Sequence, residues 1–177
     1  MMGVLFKHVG QLTAAIEHFE QARTLSPRKQ SILLALAPVY HQVGEKEKAL
    51  LIAKEAYELE PRNDEARTIY AVLAILENQL KLADDLLQNN PLPDTRIINA
   101  YAEQHQYNKV LELWRQLANQ NPQNVQYRFS LAATYLQLGE RQQAIKTLEE
   151  TAVIDPSTKT QVEYLVNEIR AGRNPAQ

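Results

Sequence analysis

The sequence predicts an all-α chain, an α-solenoid of stacked helix–turn–helix units closed by a C-terminal helix. Three observations predict it. First, marker residues recur 34 apart: Gly10 and Gly44; Ala15, Ala49 and Ala83; Pro27 and Pro61; Pro122 and Pro156. Second, apolar residues between the markers follow a helical period, and no stretch sustains the alternation of a strand. Third, all marker types share one shortfall in mid-chain. Gly44 to Gly139 is 95, seven short of three periods, while Pro61 to Pro122 and Ala83 to Ala144 are both 61, seven short of two. Three residue types holding one frame through the same irregularity define a repeat.

The elements follow in order. Unit one is partial: Met2-Gly3 and Phe6 hold the places of later core residues, so its first helix lacks an opening turn before Gly10. Unit two runs over about 30–63. Leu33, Leu36, Ala37 and Tyr40 form one helical face, Gly44 breaks the helix, and Ala49, Ile52, Ala53, Ala56 and Leu59 form the face of a second helix before Pro61. Unit three runs from 64 to about 90 and unit four to about 124. Unit five, about 125–158, repeats the pattern with Leu131, Ala132, Tyr135, Gly139, Ala144, Leu148 and Pro156. A final helix over about 159–171 carries Val162, Leu165, Val166 and Ile169 on one face, and Gly172 ends it. Such a helix buries the last open face of an array. Residues 1–172 are thus expected to form one array, with 173–177 as a flexible tail. The shortfall falls at Asn89-Asn90-Pro91-Leu92-Pro93-Asp94. A shortened helix on one side of it is expected, together with a stiff connection and a change of curvature. The missing start of unit one suggests either a piece of a longer protein, an N-terminal end that packs on something else, or a natural start with a frayed helix.

These residues resemble the tetratricopeptide repeat. Leu33-x2-Leu36-Ala37-x2-Tyr40 and Arg128-x2-Leu131-Ala132-x2-Tyr135 are similar to its first half, and Ala15-x3-Phe19 and Val110-x3-Trp114 to its second. The family's first-half Trp is replaced by Leu33, Arg67, Asp94 and Arg128, and Asn78 stands where Gly is expected. The resemblance covers nearly the whole chain. It implies a right-handed superhelix whose first helices line a hollow side.

Composition narrows the function. The 177 residues are 45% hydrophobic and 23% charged, with a net charge of −2. That balance argues against nucleic acid as a partner, since phosphate contacts need a surplus of Lys and Arg. The absence of cysteine removes disulfides, thiol catalysis and cysteine metal sites. The longest apolar runs, Ile32–Tyr40 and Ile69–Leu76, fall far short of a membrane span, so direct insertion is not expected. His8, His18, His41 and His105 have no metal-ligand spacing, with His18 on a solvent face and His105 in a turn. Asp84-Asp85 and Glu149-Glu150 splay around a helix and form no dyad. There is no phosphate loop or nucleophile elbow. No catalytic residue, cofactor or metal is expected.

The resemblance implies a peptide-binding groove. Leu34, Pro38 and His41 come from unit two, with Gln42. Thr68, Val72 and Ile75 come from unit three, with Leu76. Arg96, Asn99 and Glu103 come from unit four, with Thr95. Phe129, Ala133, Leu136 and Gln137 come from unit five, with Gln126. The Lys–Asn pair by which family members hold a chaperone tail is missing: Thr95 precedes Asn99 by four, and Ser130 stands on the next repeat. The expected role is a non-catalytic scaffold docking a peptide or helix of another protein, or a segment of its own parent chain. One alternative is a self-association module, a homodimer through the open N-terminal face. Another is an accessory tail of a surface-polysaccharide membrane enzyme, because Glu168–Pro175 resembles the end of repeat tails on bacterial O-antigen ligase-type proteins. The expected location is cytoplasmic, or tethered at a membrane through a part preceding Met1.

Overall fold

The computed structural model describes residues 2–88 and 94–175, with side chains from residue 10 onward. Among these residues all regular structure is helical. The chain divides into two compact units, Met1–Asn90 and Pro91–Gln177.

The first unit holds α1 (Met2–Leu25), α2 (Gln30–Gln42), α3 (Lys46–Leu59), α4 (Asp64–Leu76) and α5 (Leu80–Leu87). Each helix packs on the next, and α2 also touches α4. Leu33, Leu36, Ala37 and Tyr40 are buried against Ala49, Ile52, Ala53 and Ala56, as the helical period predicts, with Ile16 and Phe19 of α1 packed on them. The second unit holds α6 (Thr95–Glu103), α7 (Tyr107–Gln120), α8 (Val125–Gln137), α9 (Arg141–Ile154), a 3₁₀ turn (Pro156–Thr158) and α10 (Lys159–Arg170). Its core joins Leu131, Ala132 and Tyr135 to Ala144 and Leu148, then to Val162, Val166 and Ile169 of the closing helix.

One device ends the first helix of every complete hairpin. Gly44, Gly139 and Gly172 have φ of 85°, 78° and 86°, and Asn78 and His105 take the same left-handed conformation at 56° and 55°. At each site the left-handed residue donates its N–H three residues back, and the next residue donates five back. His105 N–H reaches Ala102 O at 2.9 Å and Gln106 N–H reaches Tyr101 O at 2.9 Å. These paired bonds satisfy carbonyls that a helix end would leave open. Asn78 therefore does the work of the expected glycine, and His105 marks a turn in a unit that has none. Turn spacings along the chain are 34, 27, 34 and 33, which places the seven-residue shortfall between Asn78 and His105. Both helices flanking it are short, α5 with eight residues and α6 with nine. The expected stiff connection at Pro91 and Pro93, and any change of curvature there, lie outside the described residues.

Of the first helices, α4, α6 and α8 begin with a polar side-chain cap, whereas α2 starts after Lys29 without one. Asn63 accepts from the N–H of Glu65 at 2.9 Å, Asp94 from Arg96 at 2.7 Å and Asn124 from Gln126 at 3.1 Å. The Arg96 guanidinium hydrogen-bonded to Asp94 holds that carboxyl below its usual range, and the cap's backbone bond adds to this. One expectation fails. No turn forms at Gly10, and α1 runs unbroken from Met2 to Leu25. Gly allows the left-handed turn without requiring it. A turn is favoured when the folded-back helix buries a face, and at Gly10 the backbone keeps its helical bonds instead.

Candidate functional site

The hollow face of the second unit starts from α8. A helix repeats its face every three or four residues, so Phe129, Ala133 and Leu136 share one side. Opposite them stand Gln161, Leu165 and Ile169 of α10, and between the two helices lies a cleft of about 530 Å³. The Asp155–Thr158 turn forms its rim. There Asp155 accepts from Ser157 N–H at 3.0 Å and Ser157 Oγ at 2.7 Å. Pro175 of the tail also lies against this cleft. The tail is brought there by α10's end. Arg173 donates its backbone N–H to Glu168 O at 3.0 Å, and its guanidinium grips the Glu168 carboxylate at 2.5 Å. Arg141 holds the Gly172 carbonyl at 3.0 Å. The Arg173 hydrogen bond keeps the Glu168 carboxyl below its usual range.

A second cleft, about 280 Å³, opens on the other side of α8. Asn99 comes from α6, Tyr107 and Trp114 from α7, and Thr134 and Gln137 from α8. Ser130 and Ala133 line both clefts, so the two are one strip running from α6 across α8 to α10. The short side chain of Ala133 leaves the middle of that strip open. Trp114 also packs against Tyr127, with ring centroids 5.7 Å apart.

The strip gathers Asn99, Phe129, Ala133, Leu136 and Gln137 of the sequence-derived residues, along with Gln126. Arg96 and Glu103 line neither cleft; Arg96 is turned back on Asp94, its Nη2 at 2.8 Å from Oδ2. In the first unit Thr68 is 7% exposed and Ile75 fully buried, so no ligand reaches Ile75 in this structure. The reason is the composition of α4. Buried residues occupy almost its whole circumference, from Ala66 to Ile75, and a helix that is apolar all round has no free face. Leu34 and Leu76 pack on the first core. Pro38 and Val72 are half-buried. His41, expected in the groove, stands 3.4 Å from the Glu77 carboxylate, which also holds Lys46 at 3.1 Å. His18 and His105 are exposed, His105 beside the Tyr107 hydroxyl at 3.2 Å. The sequence reading missed Tyr107, Ser130, Gln161 and Leu165. The frame held a signal for the last two: Val162, Leu165, Val166 and Ile169 fall 34 after Arg128, Leu131, Ala132 and Tyr135. The closing helix is thus the first helix of a further unit, and its neighbour's hollow face faces it.

Known proteins agree with this architecture. The family model described as regulator of microtubule dynamics protein 1-3 matches residues 1–81, and that of anaphase-promoting complex, cyclosome, subunit 3 matches residues 76–151. The chain is 23% identical over 147 residues to TPR repeat-containing protein YpiA of Bacillus subtilis (strain 168), which covers 79% of this chain and 35% of that protein. It therefore spans about a third of the length of that relative. Among solved structures, MamA superposes with a TM-score of 0.62 at 19% identity, covering 89% of this chain and 90% of MamA. The fold is that of a tetratricopeptide repeat protein. YrrB, titled a TPR protein with an unusual peptide-binding site, superposes with a TM-score of 0.55 at 16% identity, covering 88% of this chain and 84% of YrrB. Tetratricopeptide folds are in general protein-interaction scaffolds. Among the described residues no helix is long and apolar enough to cross a membrane.

Proposed function

We propose that this tetratricopeptide chain is a non-catalytic docking module that holds a segment of another protein on the α6–α8–α10 strip. The observation that carries this reading is the pair of clefts sharing Ser130 and Ala133. An apolar floor with a few polar groups on its rim is what recognition of a peptide requires. The peptide-binding site named for YrrB supports the same use of this fold. The Asp155–Ser157 pair on the rim belongs to a capped turn, with one carboxylate oxygen taking both the Ser157 N–H and its hydroxyl, and the reading assigns no bond-making step to either cleft.

Selection of displayed random peptides against the full chain tests it. Binding of the enriched peptides is expected to fall at least tenfold with Phe129→Asp and to change little with Val72→Asp. Peptides insensitive to Phe129→Asp would place docking elsewhere. Turnover of a substrate by the purified chain would remove the reading altogether.

A further inference from the structure

The chemistry of the strip says more about its occupant. We propose that the strip takes an extended, proline-containing, uncharged segment internal to a partner protein; this rests on the docking reading above. Three observations point there.

The lining is aromatic on both sides of α8. Tyr107 and Trp114 stand beside α8 on one side, and Phe129 on the other. Proline-rich segments dock against aromatic-lined grooves because their backbone is already extended and loses little freedom on binding. The rim is built of amides and hydroxyls: Asn99, Gln137, Gln126, Gln161 and Ser130. Amide side chains both donate and accept, so they suit a peptide backbone whose carbonyls have no partner of their own, as in a polyproline helix. Among the described residues neither lining contains a lysine or arginine, and the carboxylate present is Asp155. An acidic segment or a chain-terminal carboxylate would be desolvated there without a counter-charge. The third observation is a proline already at one end: Pro175 of the chain's own tail, itself exposed, lines the cleft beside α10, two residues beyond the Arg173–Glu168 grip.

The probe is N-acetylated, C-amidated hexaproline, titrated into the full chain. Binding is read by the emission of Trp114, the chain's one tryptophan, and by backbone amide shifts. Shifts are expected at Asn99, Phe129, Ala133 and Leu165. Affinity is expected to be at least tenfold above that of a capped hexapeptide of alternating Glu and Ala, and the same proline peptide with a free carboxylate is expected to bind more weakly. Shortening the chain to Arg173 is expected to tighten binding at least twofold by clearing Pro175. Phe129→Asp is expected to abolish it, and Asn99→Ala, an exposed change that spares the core, to weaken it severalfold. Equal binding of the acidic control, absence of shifts along the strip, or no response to either shortening or Asn99→Ala overturns the proposal. The docking reading fails separately: displayed peptides that need Phe129 but carry no proline refute this inference alone, while peptides that ignore Phe129 refute both.

Discussion

The two units share a skeleton and differ in what they put on it. Tyr40 and Tyr135 hold the same place in the repeat, and each reaches the residue 20 positions earlier on the preceding helix. In the first unit the partner is Glu20, to which Tyr40 donates at 2.7 Å; in the second it is Arg115, which donates to Tyr135 at 2.8 Å. The position and the geometry are conserved between units while the charge is reversed. The same holds on the hollow side. In the first unit α4 is buried nearly all round and His41 is taken up by Glu77, whereas in the second α8 keeps Phe129, Ala133 and Leu136 along open clefts. The apolar frame therefore sets where helices go, and the residues outside the frame decide which unit keeps an open cleft.

Six substitutions, in four steps, sharpen or break that comparison. The largest effect is expected at the shared core. Leu36→Ala, at a fully buried site, should cost about 2–5 kcal/mol in urea unfolding. Leu165→Ala, on the half-buried cleft wall, should cost far less while weakening the docked peptide. Equal costs would mean that both units are packed alike. Next come the turns. Gly44→Ala meets no neighbouring atom but forces alanine into a left-handed conformation, a loss of about 1–2 kcal/mol. His105→Gly, the reverse change, should leave stability unchanged or raise it, because histidine already bears part of that strain. A loss at His105→Gly would show that the imidazole beside Tyr107 matters more than the backbone.

The tyrosine pair comes third, with about 0.5–1.5 kcal/mol for each hydroxyl removed. Its signature is alkaline. Burial, and then the hydrogen bond to Glu20, raise Tyr40 from 10.0 to about 12. A group whose folded value is raised stabilises fully below its unfolded value and loses that contribution as pH climbs through the folded one. Stability should therefore fall between about pH 10 and pH 12, and Tyr40→Phe should remove that part of the fall. The smallest effect is acidic. Asp94, lowered chiefly by Arg96, stabilises above the ordinary carboxylate value and should lose this as pH drops below it. Asp94→Asn, which keeps a cap at α6, should flatten that limb of the profile.

Much of the fold was legible from residue spacing. The face of Leu33, Leu36, Ala37 and Tyr40, the small residues facing it and the closing helix all follow from a period that packing enforces. Gly10 was misleading because a glycine permits a turn, and only a buried partner face makes one worthwhile. On the hollow side Phe129, Ala133 and Leu136 fell together along one cleft because a helix puts neighbours three and four apart on one side. Thr68 and Ile75 did not. Periodicity tells which residues share a side, but not whether a stripe is wide enough to bury that side as well. Tyr107, Gln161 and Pro175 reach the strip from other helices and from the tail, and spacing along one helix carries no information about what a neighbour brings.

Amide exchange of the full chain with and without a bound displayed peptide tests the central claim most directly. Slower exchange confined to α6, α8 and α10 is the predicted result. Slower exchange centred on α2 and α4, with those three helices unchanged, would contradict it.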